Sequence, residues 1–219
     1  MATATAEAMP EASDLNVFVN CPFDKAYARL FQALVFTIHD CGFVVRCVLE
    51  DQDTGTPRLS KLEALIKISP QGIHDLSRTE LDAHSGWPRF NMPLELGLFL
   101  GAKLFGTQEQ QAKRILVLDC KHYRYQIFCS DLAGQDPKAH DADEERLVDV
   151  VRTWLRASLL LPSTEQMPGE ERIARRYREF EEALPELCRR AGIRASKMPF
   201  DRYADFVHFV VEWQRASPL

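Results

Sequence analysis

Residues 72–102 read GIHDLSRTELDAHSGWPRFNMPLELGLFLGA, and the fold class turns on this stretch. Its opening, 72–76, is a short apolar-bounded run of strand length. A polar loop holding Asp75, Ser77, Arg78 and Asn91 follows, and the stretch closes on a helix starting near Met92 or Pro93 with Glu95 in its first turn. Ionisable side chains placed after a strand and at a helix start are where open α/β sheets build sites.

Upstream, 15–19 is an apolar run with Val and Phe that reads as a buried parallel strand. A tight loop, Asn20 to Asp24, leads into a stripe of Tyr27, Leu30, Phe31, Leu34, Val35 and Ile38, one apolar helix face laid on a sheet. Cys41-Gly42 ends that helix, and 43–49 reads as the second strand. An acidic loop, 50–57, precedes a helix over 60–69 buried through Leu62, Leu65 and Ile66. Downstream of the central stretch, RILVLD at 114–119 is a fourth strand. The order βαβαβαβ predicts a flavodoxin-like α/β fold: a parallel sheet ordered 2-1-3-4, helices on both faces, with HYRYQIFCSDL (122–132) as a fifth strand, at the sheet edge or as a hairpin arm. Asp131 to Asp141 reads as a loop, and Asp141 with Glu144 has capping-box spacing before a helix carrying Leu147, Val151 and Leu155.

The C-terminal third is helical. A charged helix over 170–190 carries Ile173, Tyr177, Phe180, Leu184 and Leu187, and a last helix carries Tyr203, Phe206, Val207, Val210 and Val211 inward. The organisation is a disordered tail (1–14), a parallel α/β nucleotide-binding domain (15–161), a linker within 162–169 and a C-terminal helical extension (170–215). Gly97 and Gly101, four apart on one helix, and the Tyr177/Phe180/Leu184 stripe predict a homodimer.

The 219 residues are 46% hydrophobic with 13 Phe and 3 Trp, enough apolar mass for a folded core. A net charge of −5 gives no help in holding a nucleic-acid backbone, so no nucleic-acid partner is expected. No run of 18 apolar residues exists, which predicts no membrane span. The six cysteines are widely spaced, without CxxC or zinc spacing, as suits buried thiols in a cytoplasmic protein. The tail lacks a basic start and an apolar core and does not read as a signal peptide. No GxGxxG follows the first strand and no GxxxxGK[ST] is present, which argues against dinucleotide redox and P-loop chemistry.

Carboxylates remain: Asp75, Glu95, and Glu50 or Asp53 after the second strand. A helix-start Glu is kept ionised by the dipole. An ionised carboxylate beside a sugar C1 can act as nucleophile or support an oxocarbenium-like centre. The pattern VFVNCPFD (17–24), then Asp75-Leu-Ser, then Asn91-Met-Pro-Leu-Glu95-Leu-Gly97, resembles the nucleoside 2-deoxyribosyltransferase-like group, which is similar in fold to NAD-cleaving TIR domains. The resemblance covers about 15–120. It implies that Asp75 holds the nucleoside and that Glu95 attacks the anomeric carbon. Phe90-Asn91-Met92-Pro93 replaces the usual Gly-Thr before the helix.

Glu95 and Asp75 are therefore the catalytic candidates. Asn20, Phe23, Asp24, Arg78 and Asn91 are candidates for substrate contact: Arg78 as a phosphate or carboxylate clamp, Asn91 as a sugar or base contact, Asn20 and Asp24 as the residues flanking the first crevice loop, Phe23 as a ring stacking on a base. Each has a plain structural alternative. Asp24 or Asn91 can cap a helix, Asp75 can cap the Ser77–Arg78 turn, Arg78 can pair with Glu80 or Asp82, and Phe23 can be a hydrophobic staple. His74, next to Asp75 in a strand, points to the opposite face. Trp87 and Phe90 would close the pocket as a lid, and Cys21 lacks a base. No cofactor or metal is called for; NAD enters as a substrate. The chain reads as an N-glycosidic hydrolase or transferase, against two alternatives: a non-catalytic nucleotide sensor with the same pocket, and a scaffold.

Overall fold

The computed structural model describes residues 12–79, 86–87, 90–132, 134–158 and 167–218. At its centre β1 (Asn16–Asn20) and β3 (Gln71–Asp75) run parallel, paired from Val17 with Gln71 to Asn20 with His74. Every residue of both strands is buried, which is why 17–19 reads as an unbroken apolar run, while β3 buries the polar Gln71, His74 and Asp75 as well. β2 (Val44–Arg46) flanks β1. β4 (Arg114–Asp119) flanks β3, and β5 (Lys138–Ala139) closes the edge, giving a parallel sheet ordered 2-1-3-4-5.

Successive strand residues point to opposite faces. Val17, Val19 and Ile73 face the large core built with α1 (Ala28–Asp40) and α6 (Glu144–Ser158). Phe18 faces the other way, among Leu62, Leu65 and Ile66 of α2 (Arg58–Lys67) and Phe99 of α3 (Asn91–Phe105). Gly72 is needed there. A Cβ on it would lie 2.7 Å from the Phe99 ring and 2.9 Å from His74 Nε2, so only glycine lets α3 lie this close to β3.

α7 (Glu170–Arg190) and α8 (Tyr203–Ala216) form the C-terminal extension. They add a further layer over α1: Phe36 packs against Phe180 and Trp213. Buried Arg176 clamps Asp40 with bonds of 3.0–3.2 Å, and burial raises the Asp40 carboxyl against that pairing. Ile173, Tyr177, Phe180 and Leu184 are thus covered within the chain, in the same core as the sheet. This corrects half of the reading behind the predicted homodimer, because that stripe offers nothing to a second copy. No helix among the described residues is long and apolar enough to cross a membrane.

Four local expectations change. The run 122–132 is not a strand: beyond the single-turn helix α4 (Gln108–Gln111) and β4, Tyr125–Phe128 is a short helix, α5, followed by a 3-10 turn at Ser130–Leu132. Tyr125 and Leu132 bury on one side with Leu76 and Val117, a helical spacing hidden among the β-favouring residues. The fifth strand lies instead within the expected loop, two residues long and too short to leave a pattern. The second strand stops at Arg46 because the Glu50 carboxylate folds back on Arg46 (2.9 Å) and on the Cys47 N–H (2.6 Å). The α6 cap is Asp143, whose carboxylate accepts from Arg146 N–H at 2.7 Å, while Asp141 pairs with the Arg146 side chain. Of the expected tail, Ala12–Leu15 is a 3-10 turn. Residues 1–11 lie outside the described residues, as does most of the linker.

Candidate functional site

β1 and β3 are neighbours whose outgoing chains part, α1 to one face of the sheet and α3 to the other. Such a switch point, at the strands' carboxyl ends, is where open α/β sheets place ligands. Asn20 and Asp75 are the last residues of the two strands, and the loops that follow carry Cys21 to Asp24 and Ser77 to Arg78.

Asp75 is fully buried and held on both oxygens. Oδ1 accepts from Ser77 N–H at 2.8 Å. Oδ2 accepts from the Tyr27 hydroxyl and lies 3.0 Å from His140 Nε2, which is also 3.0 Å from Ser77 Oγ. His140 Nδ1 accepts from Ala142 N–H at 3.0 Å, which leaves the proton on Nε2 in the neutral ring. Burial pushes the Asp75 carboxyl up, but His140, Ser77 and Tyr27 together hold it below its ordinary value. The side chain ties together α1, the β3 loop and the residue after β5. The Ser77–Arg78 turn is capped by Asp75, as its spacing allows.

Glu95 is arranged otherwise. It lies in the second turn of α3, which begins at Asn91, and not in the first as expected, so the helix N-terminus is farther from it. Its side chain is 3% exposed and meets Arg58 Nη2 at 3.1 Å, while the Arg58 side chain is 55% exposed. Burial raises the Glu95 carboxyl above its ordinary value, and Arg58 opposes that. Cys21, the residue after β1, is fully buried. Its thiol is pushed well up by burial, then by Asp75, Cys47, Glu95 and Asp24, which disqualifies it as a nucleophile. No group among the described residues bonds both Asp75 and Glu95.

Asn20 is buried at the junction with α3. Its Nδ2 donates to Met92 C=O at 2.9 Å and lies 3.1 Å from His74 Nδ1, while Oδ1 has no partner among the described residues. His74 turns to the opposite face from Asp75, between Phe18 and Phe99. Burial draws it down to about 3, so it stays neutral. Asp24 caps the turn into α1, accepting from Ala26 and Tyr27 N–H at 3.0 Å each, and meets Arg78 Nη2 at 3.4 Å. Glu80 and Asp82, the other expected partners of Arg78, lie outside the described residues.

Phe23 packs edge-on against Phe31 and Phe200, on the core and not as a free stacking ring. Asn91 is the exposed first residue of α3, and Phe90, not Asn91, holds the cap position. Trp87 and Phe90 are exposed. Glu50 is bound to Arg46 and Cys47, and Asp53 shapes its own loop through Gly55 and Thr56, so neither joins the site. A cleft of 340 Å³ between α1, α6 and α7 contains none of these residues; Arg29 there pairs with Glu144 and Glu181.

Three participants escaped the sequence reading. Tyr27 reads as one more apolar position of a helix stripe. His140 follows a strand two residues long. Arg58 falls just before the expected helix start, although Pro57 at the cap position marks the true one. No protein-family model, no curated protein and no solved structure matches the chain.

Proposed function

We propose that the chain binds a nucleoside, nucleotide or NAD at the carboxyl ends of β1 and β3 and cleaves or transfers its N-glycosidic bond. The observation that carries this reading is the state of Glu95: a buried carboxylate at the switch point whose ion-pair partner, Arg58, reaches it from solvent. Moving one half-exposed arginine uncovers that charge without disturbing the core.

In this reading Arg58 swings to an anionic part of the substrate, with Arg78 as a second clamp, and Glu95 faces the anomeric carbon. The C1–N bond breaks and its electron pair leaves with the base. Glu95 then either bonds C1 as a nucleophile or supports the positive sugar until water or an acceptor base adds. Asn20 Oδ1, a buried acceptor without a donor, suits a sugar hydroxyl. Asp75, saturated by Tyr27, Ser77 and His140, acts as a positioning residue that sets the loop beneath the sugar. The resemblance to the deoxyribosyltransferase-like and TIR-like group points the same way, and six free cysteines suit a reducing cytoplasm.

A sensor reading is favoured by the same ion pair, because Arg58 left in place keeps Glu95 from any ligand. Incubation with a nucleotide panel and NAD, followed by chromatography for free base, separates the two. The enzyme reading expects base release by the parent and at least about a hundredfold less from Glu95→Gln. Equal release by both sinks the assignment. No release, with nucleotide raising the melting temperature, establishes the sensor.

A further inference from the structure

α3 has two apolar faces. Met92, Leu96 and Phe99 point at the sheet and are buried. At 100° per residue, Phe90, Leu94, Gly97, Leu98, Gly101, Leu104 and Phe105 fall on one stripe on the opposite side. All the large ones are exposed, Phe105 to 87%. A Cβ on Gly97 or on Gly101 would meet nothing within 4 Å among the described residues, so packing there does not require either glycine. The helix has two charged residues, and neither faces outward. Glu95 is buried against Arg58, and Lys103 reaches back to the carbonyls of Gln111 and Lys113.

We infer that this face of α3 is a two-fold interface with a second copy of the chain. The inference does not rest on the glycosidic reading. An isologous contact sets a patch against itself, so it must carry no net charge, and this stripe carries none. Two glycines at the centre of the stripe let two helix backbones approach closer than the usual 8–10 Å. Leu94 and Leu98 on one side, and Leu104 and Phe105 on the other, then close around the crossing. The exposed side chains supply roughly 600 Å² per chain, against about 800 Å² that a stable interface takes from each partner. The polar rim provides the rest.

Sedimentation velocity on the full chain across micromolar concentrations tests this. The parent is expected to be a dimer. Phe105→Glu, at a position with almost no contact inside the chain, is expected to weaken the dimer by at least about a hundredfold. Gly97→Ala with Gly101→Ala is expected to weaken it at least about tenfold while leaving the melting temperature of the dilute monomer unchanged or raised, because alanine is the better helix former. A monomeric parent overturns the inference and leaves the face to another kind of partner. A dimer equally tight in all three proteins overturns it too, since the contact then lies elsewhere.

Discussion

Asp75 and Glu95 are both buried carboxylates at the same end of the same sheet, and their surroundings differ in kind. Asp75 is held by three groups from three parts of the chain, all of them buried, and its charge is stabilised where it stands. Among the described residues Glu95 has one partner, more than half exposed, and burial works against its charge. A buried charge satisfied by several fixed donors is part of the architecture. One satisfied by a single movable cation is a site held closed.

The largest effect is expected on the architectural side. Asp75→Asn leaves the Tyr27 hydroxyl, the Ser77 N–H and the His140 ring without their anion and should cost about 3 kcal/mol of unfolding free energy. Tyr27→Phe removes one donor to that anion and should cost about 2 kcal/mol. Urea titrations at neutral pH measure both. A loss under about 0.5 kcal/mol in each would mean that the network does not anchor the loops.

Much of this architecture is legible in the sequence, for a physical reason. Strands buried on both faces leave continuous apolar runs, so RILVLD is found with its boundaries intact, and the sheet order follows from strands alternating with helical stripes. The amphipathic helix 170–190 is equally plain. What escapes is what depends on tertiary contact. β5 is held by register with β4 and not by its own composition. His140 gains its role from the strand before it, and Tyr27 looks like core until its hydroxyl meets Asp75. Asp75 stands out as the acid that ends strand three, and Glu95 as the acid flanked by leucines in the helix that follows. Their different states depend on Arg58, which only the fold brings to Glu95.

A smaller effect is expected on the other side of the comparison. Arg58→Ala removes a half-exposed side chain but leaves the buried Glu95 carboxylate uncompensated, and should cost about 1 to 2 kcal/mol at neutral pH, less than Asp75→Asn. It also removes the one group opposing burial at Glu95, so the carboxyl should move further above its ordinary value. In the enzyme reading, the acid limb of the base-release profile shifts to higher pH. An unmoved limb would separate Arg58 from the chemistry.

The most direct test is the pH dependence of unfolding free energy for the parent, Asp75→Asn and Glu95→Gln between about pH 3 and 8. The folded Asp75 pKa lies below its unfolded value of about 3.9. Its contribution is therefore fully present above that value and is lost as pH falls through the folded pKa, so the deficit of Asp75→Asn should be greatest at neutral pH and shrink in acid. The folded Glu95 pKa lies above its unfolded value of about 4.3, so its charge opposes folding at neutral pH and that opposition is relieved by acid. Glu95→Gln should match or exceed the parent near pH 7 and lose that margin on acidification. A Glu95→Gln deficit at pH 7 as large as that of Asp75→Asn would contradict the account, because Glu95 would then be as much a part of the architecture as Asp75.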